Sequence, residues 1–398
     1  MKSHKDSLLL IGMSTPMALQ VVRSLGSNGV KVYGVAGKKS DIANYSRYLH
    51  KFLVLPGDIY QHMGRIVEYI KKNEINYVIA LGEVQICALN EYRVELEKHA
   101  MLLFPEDSKM QMVLDKSKTL DLAGSLGLEV PKSLLVDNKD DLGKITSIPL
   151  PLIIKPSFRS FRSAEKRKSD FRIKYYSSYD KAGEFLRECI NMDYPCLVQE
   201  RLSGEETCVA FLRYHKRIIA HCQFNFAALS DVPGIPSIKE SAATLPELYE
   251  YGRHMLDALD WEGVALFDFI KNQSSARFAL LEINGRFWGS TTLCSRAGVD
   301  FPHLLYQAAS GKSNDQRVVT PVPGVRVRNL CGVTRMYFEG ILKNRSLSFF
   351  IKSSGEYIKP FFKSGQQEVQ LLKDPVPGLV DICNAFAELV GKFRRQGH

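Results

Sequence analysis

The 398-residue sequence contains no run of eighteen or more apolar residues, so no segment has the length or character of a membrane-spanning helix. It contains no C-x-x-C pair; the eight cysteines, at positions 87, 189, 196, 208, 222, 294, 331 and 383, stand singly. That scatter argues against a structural zinc site and a disulfide-stapled secreted domain, and favours reduced thiols in a cytoplasmic protein. The first βα turn, G-M-S-T-P, is not G-x-G-x-x-G, so a dinucleotide fingerprint is absent. The nine histidines are dispersed and no Ser-His-Asp arrangement is evident; His215 and His221 fall in a strand pair and are read as packed or exposed residues. The opening MKSHKDSLLLIGM has only a brief apolar stretch running into a glycine, so it is read as a first strand and not a signal peptide.

What is present is ample apolar material. With 45% hydrophobic residues, the chain can bury a substantial core and is long enough for two or three domains. The net charge of +10 suits acidic partners such as nucleotides or anionic substrates, although most of it fits an ordinary solvated surface. One stretch, 158–174, is denser, with seven Lys or Arg against two acids. It has neither the helical periodicity nor an accompanying motif of a nucleic-acid binder, so no nucleic-acid partner is expected.

Apolar runs at Ser7–Met13, KVYGVAG and Tyr77–Leu81 alternate with helix-period segments at Pro16–Leu25 and Gly64–Lys72. This spacing predicts a parallel, doubly wound α/β domain over 1–104. Two helices are expected within 106–127 and another over Tyr179–Asn191, with strands at PLIIKP and CLVQERL. The alternation in CVAFLRYHKRIIAHCQFNF predicts an antiparallel hairpin, and GVALFDFIKN with ARFALLEIN a second strand pair split by NQSS. This later region is α+β in character. The terminal VPGLVDICNAFAELVGKF has the pattern of an amphipathic helix packed on the core.

The chemistry-bearing stretch is FDFIKNQSSARFALLEINGRFWGS. Asp268 and Glu282 fall on adjoining strands, and alternation puts Glu282 and Asn284 on one face with Ile283 pointing to the core. Hard oxygen donors converging in this way suit magnesium, commonly held by carboxylates and substrate phosphates. Taken alone, D…E-x-N fits a solvated strand face equally well. Upstream, Lys155 ends the apolar strand PLIIKP, where a lone lysine needs an anion, and Lys116 begins a helix. Between them and the carboxylates lies VQERLSGEE. An open strand edge there would offer the backbone of Glu200 and Leu202 to an adenine, with a following carboxylate on ribose.

In this order, DKSKTLDLAGSLGLEVP, PLIIKP, LVQERLSGEE and FDF…EINGRFWGS resemble the ATP-grasp superfamily, and specifically its carboxylate–amine ligases, over about residues 1–315. The resemblance implies an N-terminal pre-ATP-grasp domain (1–104), a small lobe with helical linker (105–198), a large lobe with the metal site (199–315) and a C-terminal extension (316–398). It implies ATP with Mg2+, or Mn2+ in its place. Lys116 and Lys155 would hold the α- and β-phosphates, Glu200 and Leu202 would read adenine through the main chain, and Glu206 would bind ribose, with Glu205 as the alternative register. Asp268, Glu282 and Asn284 would hold the metal. Arg286 would lie beside the reacting carboxylate, and Lys239, in IPSIKES, would contact the γ-phosphate.

The implied activity is ligation of a small carboxylate to an amine, either of which could itself be acidic, and a homodimer is compatible with it. A bicarbonate-using carboxylase and a non-catalytic nucleotide sensor are the rival readings. The sequence departs from the family pattern at 157–172, where members carry a glycine-rich phosphate-covering loop and this chain has PSFRSFRSAEKRKS, without glycine. Serine hydroxyls and arginine forks could still cover phosphates there.

Overall fold

The computed structural model describes residues 6–157, 173–227, 238–312, 317–331 and 366–396. Apart from Ser157, the loop expected to cover the phosphates lies outside these residues.

The N-terminal region runs β1 (Ser7–Ile11), α1 (Pro16–Ser27), β2 (Lys31–Ala36), β3 (Leu49–Val54), α2 (Met63–Lys72), β4 (Tyr77–Ala80), α3 (Glu83–Glu91), α4 (Arg93–Glu97) and β5 (Met101–Leu102). Its five strands are parallel in the order β3-β2-β1-β4-β5. All five residues of β1 are buried, as a parallel strand covered on both faces requires. Thr15 accepts the Ala18 amide and Pro16 opens α1, which fixes where the strand stops and the helix begins.

Two helices follow, α5 (Asp107–Leu114) and α6 (Lys116–Ser125), the second capped by the Asp115 carboxylate on the Lys118 amide. The small lobe comprises β6 (Ser133–Val136), β7 (Leu152–Pro156), β8 (Lys174–Tyr176), α7 (Tyr179–Asn191) and β9 (Cys196–Glu200), with strand order β6-β9-β7-β8. Its core, which includes Val136, Ile154, Leu186 and Val198, is separate from the others.

The large sheet is built from β10 (Gly204–Tyr214), β11 (Arg217–Ala227), β12 (Ile238–Ala242), β13 (Gly263–Asn272), β14 (Phe278–Asn284), β15 (Arg326–Arg328) and β16 (Gln366–Gln367), in the order β14-β13-β10-β11-β12-β15-β16. Helices α8 (Pro246–Ala258), α9 (Thr291–Arg296) and α10 (Phe301–Ala309) accompany it, and α11 (Val376–Gln396) ends the chain. The mixed α/β, multidomain architecture expected from the sequence is therefore present.

Three features differ from the sequence expectation or extend it. The strand carrying Glu200 is not an edge: Gln199 pairs with Ser133 on one side and Ile153 on the other. Helices α5 and α6 bury Met110, Val113, Leu114 and Ala123 with Trp261 and Phe267, so they pack on the large sheet and not in the small lobe. The residues after 315 add β15 and β16 to the large sheet and return to the N-terminal domain. There the buried Asp374 carboxylate accepts from Arg23 Nε (2.9 Å), Ser46 Oγ (2.8 Å) and the Arg47 amide (2.9 Å). Helix α11 packs through one face, with Asn384 Nδ2 donating to the Ser40 carbonyl, while Leu379 and Phe386 remain 62% and 68% exposed. No helix among the described residues is long and apolar enough to cross a membrane.

Candidate active site

Between the small-lobe sheet and the large sheet lies a cavity of about 380 Å3. Its polar lining is Lys155 and Gln199 from one side and Glu206, Cys208, Asp268 and Glu282 from the other. Tyr175, Phe226 and Phe269 supply apolar walls. The volume and mixed lining suit a ligand of nucleotide size.

Strand register explains the acidic wall. Asp268 on β13 pairs directly with Cys208 on β10 and Glu282 on β14, so the three side chains share a face. A register shift between Asp268 and Phe269 places Leu281 and Glu282 together at the cavity, while Ile283 is buried as alternation predicts. Asn284 Nδ2 donates to Asp268 Oδ2 (3.0 Å) and Glu282 Oε1 (3.2 Å), so the expected triad does converge. Gly285 is required next: a Cβ there would stand 2.4 Å from the buried Trp261 ring, and this close approach carries the chain from Asn284 to Arg286.

The electrostatics of the pair are asymmetric. Burial pushes the Asp268 carboxyl well above the usual carboxylate range; the Cys208 thiol, donating from 2.9 Å, opposes this and the Glu282 charge adds to it. Burial acts upward on Glu282 too, but the Lys116 ammonium, ion-paired with its Oε2, outweighs it and holds Glu282 below its ordinary value. Among the described residues no three His, Cys, Asp or Glu side chains cluster as a metal site. The candidate donor set is accordingly two carboxylates and an amide. A divalent cation fits it, because its charge would compensate the buried carboxylates that water no longer solvates.

Facing this wall, Lys155 is buried at the end of β7 with no hydrogen-bond or ion-pair partner among the described residues. Burial, with the Lys116 charge adding to it and Glu282 opposing, lowers its ammonium to about 8. A buried ammonium lining a cavity, without a partner among the described residues, favours an anion, and a nucleotide phosphate would suit it.

The remaining expected residues separate into two groups. Glu206 lies on the cavity face, one alternation before Cys208, whereas Glu205 faces the other side of the sheet. At the exit from β9, the Glu200 amide donates to Lys132 and the Arg201 amide to Pro151, so Glu200 is tied on both flanks and Leu202 lies just beyond the strand. Arg286 bonds Asn284 Oδ1 (3.3 Å) and pairs with Glu83 Oε1 (3.2 Å) from the N-terminal domain. Lys239 stands farther along the sheet, donating to the Gly289 carbonyl (2.8 Å) and Glu368 Oε1 (3.0 Å).

Sequence reasoning missed Glu83, Cys208 and Glu368. Glu83 had a usable signal, since it follows β4 at the carboxyl edge of a parallel sheet, where ligands gather. Glu368 had none, being brought to Lys239 by a strand of two residues.

Residues 193–333 match a family described as ATP-grasp in the biosynthetic pathway with Ter operon. No curated protein matches the sequence. Among solved structures, an N5-carboxyaminoimidazole synthetase from Staphylococcus aureus complexed with ADP is similar at 14% identity and a TM-score of 0.60, covering 81% of this chain and 80% of that one. A biotin carboxylase from Campylobacter jejuni follows at 15% identity and 0.61, covering 78% and 72%. An L-amino acid ligase from Bacillus licheniformis is similar at 15% identity and 0.58, covering 77% and 75%. The ordered motifs, the three-part architecture and these likenesses agree on one scaffold: the chain has the ATP-grasp fold.

Proposed function

We propose that the protein is an ATP- and magnesium-dependent ligase that activates a carboxylate as an acyl phosphate and joins it to an amine, releasing ADP and phosphate. One observation carries the proposal: a buried Lys155, without a hydrogen-bond or ion-pair partner among the described residues, faces the Asp268–Glu282–Asn284 corner across a nucleotide-sized cavity. A carboxylate is a poor acylating agent because its leaving group would be an oxide. When its oxygen bonds the γ-phosphorus, the bridge to the β-phosphate breaks and ADP departs. The amine nitrogen then attacks the acyl carbon, phosphate leaves and the nitrogen gives up a proton.

Phosphoryl transfer asks a protein chiefly for alignment and charge neutralisation. Lys155 and Lys116 would hold the α- and β-phosphates, Glu206 the ribose, and the main chain just past β9, at Leu202, the adenine. Asp268, Glu282 and Asn284 would hold Mg2+ (or Mn2+), which neutralises phosphate charge. Arg286, tied to Asn284 and Glu83, would steady the reacting carboxylate, and Lys239 the γ-phosphate. The substrates are small molecules met in the cytoplasm; the basic balance of the chain favours an acidic one.

The test is ADP release from purified protein with panels of amino acids and other carboxylates, against bicarbonate, with and without magnesium. Asp268→Asn should lower turnover by about two orders of magnitude or more with cooperative unfolding retained. Tight ATP binding indifferent to magnesium would instead favour a nucleotide sensor, and bicarbonate-dependent turnover a carboxylase.

A further inference from the structure

Glu368 belongs to the segment after 315, which the nucleotide site as described does not use. Its carboxylate is buried, 3% exposed, and lies 3.0 Å from Lys239 Nζ. The same ammonium donates to the Gly289 carbonyl at 2.8 Å. Lys239 is paired in register with Phe226, which lines the nucleotide cavity, so the ion pair stands on that face of the large sheet. Gly289 follows Arg286 by three residues, which puts the pair on the reacting side of the site.

The segment that delivers Glu368 is held on both sides. Gln366 and Gln367 pair with Val327 and Arg328, and the Glu368 amide donates to the Arg328 carbonyl (2.9 Å). Val369 is fully buried, and Asp374 is clamped by Arg23, Ser46 and Arg47 of the N-terminal domain. A carboxylate carried on such a strap does not drift; it fixes what it binds. An ammonium has three N–H donors, and among the described residues two of them are occupied, one on Glu368 and one on Gly289. The third is thereby given a direction.

We propose that Glu368 is a positioning residue: through Lys239 it makes the C-terminal segment part of the γ-phosphate site. The proposal rests on the nucleotide reading above. Its readout is the ratio of affinities for a non-hydrolysable ATP analogue and for ADP, measured calorimetrically with magnesium, because only the γ-phosphate meets Lys239. Lys239→Met should lower that ratio by roughly tenfold or more, the scale of one charge-assisted hydrogen bond. Glu368→Ala should lower it similarly, and Glu368→Gln, which keeps an acceptor oxygen, should lower it less. In the Lys239→Met background, Glu368→Ala should lower it no further, because both act through one contact.

A wild-type ratio in folded Glu368→Ala, or a full additional loss in the double variant, overturns the proposal. Should Glu368→Ala fail to fold, the folded Glu368→Gln protein decides, and a ratio unchanged from wild type in it overturns the proposal as well. If wild-type protein binds neither nucleotide, the nucleotide reading itself fails. Binding of both with an unchanged ratio in the variants leaves that reading intact and removes only this one.

Discussion

Lys155 shows most directly how a single side chain marks a candidate site through a cost. A lysine in the apolar run PLIIKP is visible in the sequence as an anomaly, and the structure sharpens it into a buried cation without a partner among the described residues. Its ammonium lies at about 8 in the folded chain against an ordinary 10.5, so folding works against its proton. With the folded value depressed, the penalty is present in full below pH 8 and fades as pH rises towards the unfolded value. Lys155→Met should therefore raise unfolding free energy at pH 7 by up to ~3 kcal/mol, and by much less above pH 10, while nucleotide binding is lost. Denaturant melts at the two pH values check this; a destabilised variant at pH 7 would mean that the ammonium has a partner. Asn284 and Glu282 were legible in the same way, because strand alternation is a strict rule. Cys208 was not, since its place beside Asp268 is set by β10 pairing with β13 across some sixty residues of chain.

At the scale of elements, the sequence spoke clearly where periodicity was strong and poorly where pairing decides. Helix Tyr179–Asn191 and the two hairpins of the large sheet stand where their patterns put them. The supposed open edge at Glu200 fails because a strand's own residues do not say which neighbours flank it. Gln199 is enclosed by β6 and β7, and Glu200 lends its side chain as well as its amide to Lys132. The C-terminal strap was illegible for another reason, its hold being concentrated in one buried ion pair with no periodic signature. Asp374 is 1% exposed and Arg23 6%, and the carboxylate also satisfies Ser46 and the Arg47 amide. Removing the carboxylate leaves the Arg23 charge buried with only the residue 374 carbonyl as acceptor, so Asp374→Ala should cost about 3–5 kcal/mol in unfolding free energy. A loss below about 1 kcal/mol, the scale of a surface pair, would show that the strap carries little of the fold.

Across the whole molecule, the burial pattern divides the chain differently from its linear order. The parallel N-terminal sheet and the large antiparallel sheet share their cores: Leu9 and Val78 cluster with Phe211 and Phe267, and Leu8 and Leu10 with Leu212 and Trp288. Among the described residues the small lobe keeps a separate, smaller core of ten buried residues. Lys155 sits on the lobe with the smaller core and the Asp268–Glu282–Asn284 corner on the body with the larger ones, so the cavity joins two units of unequal core size. Local opening follows buried apolar contact, and the two units should therefore open independently. Native-state hydrogen exchange should find the amides of Ile154 and Val198 opening at a free energy about 2 kcal/mol or more below those of Phe211 and Phe267. On the proposed reading a nucleotide analogue with magnesium would bridge both walls, and it should raise protection in the small lobe more than in the shared core. Equal protection in both units before nucleotide is added would mean that the interface between them is as strong as either core, and the division drawn from burial would be wrong.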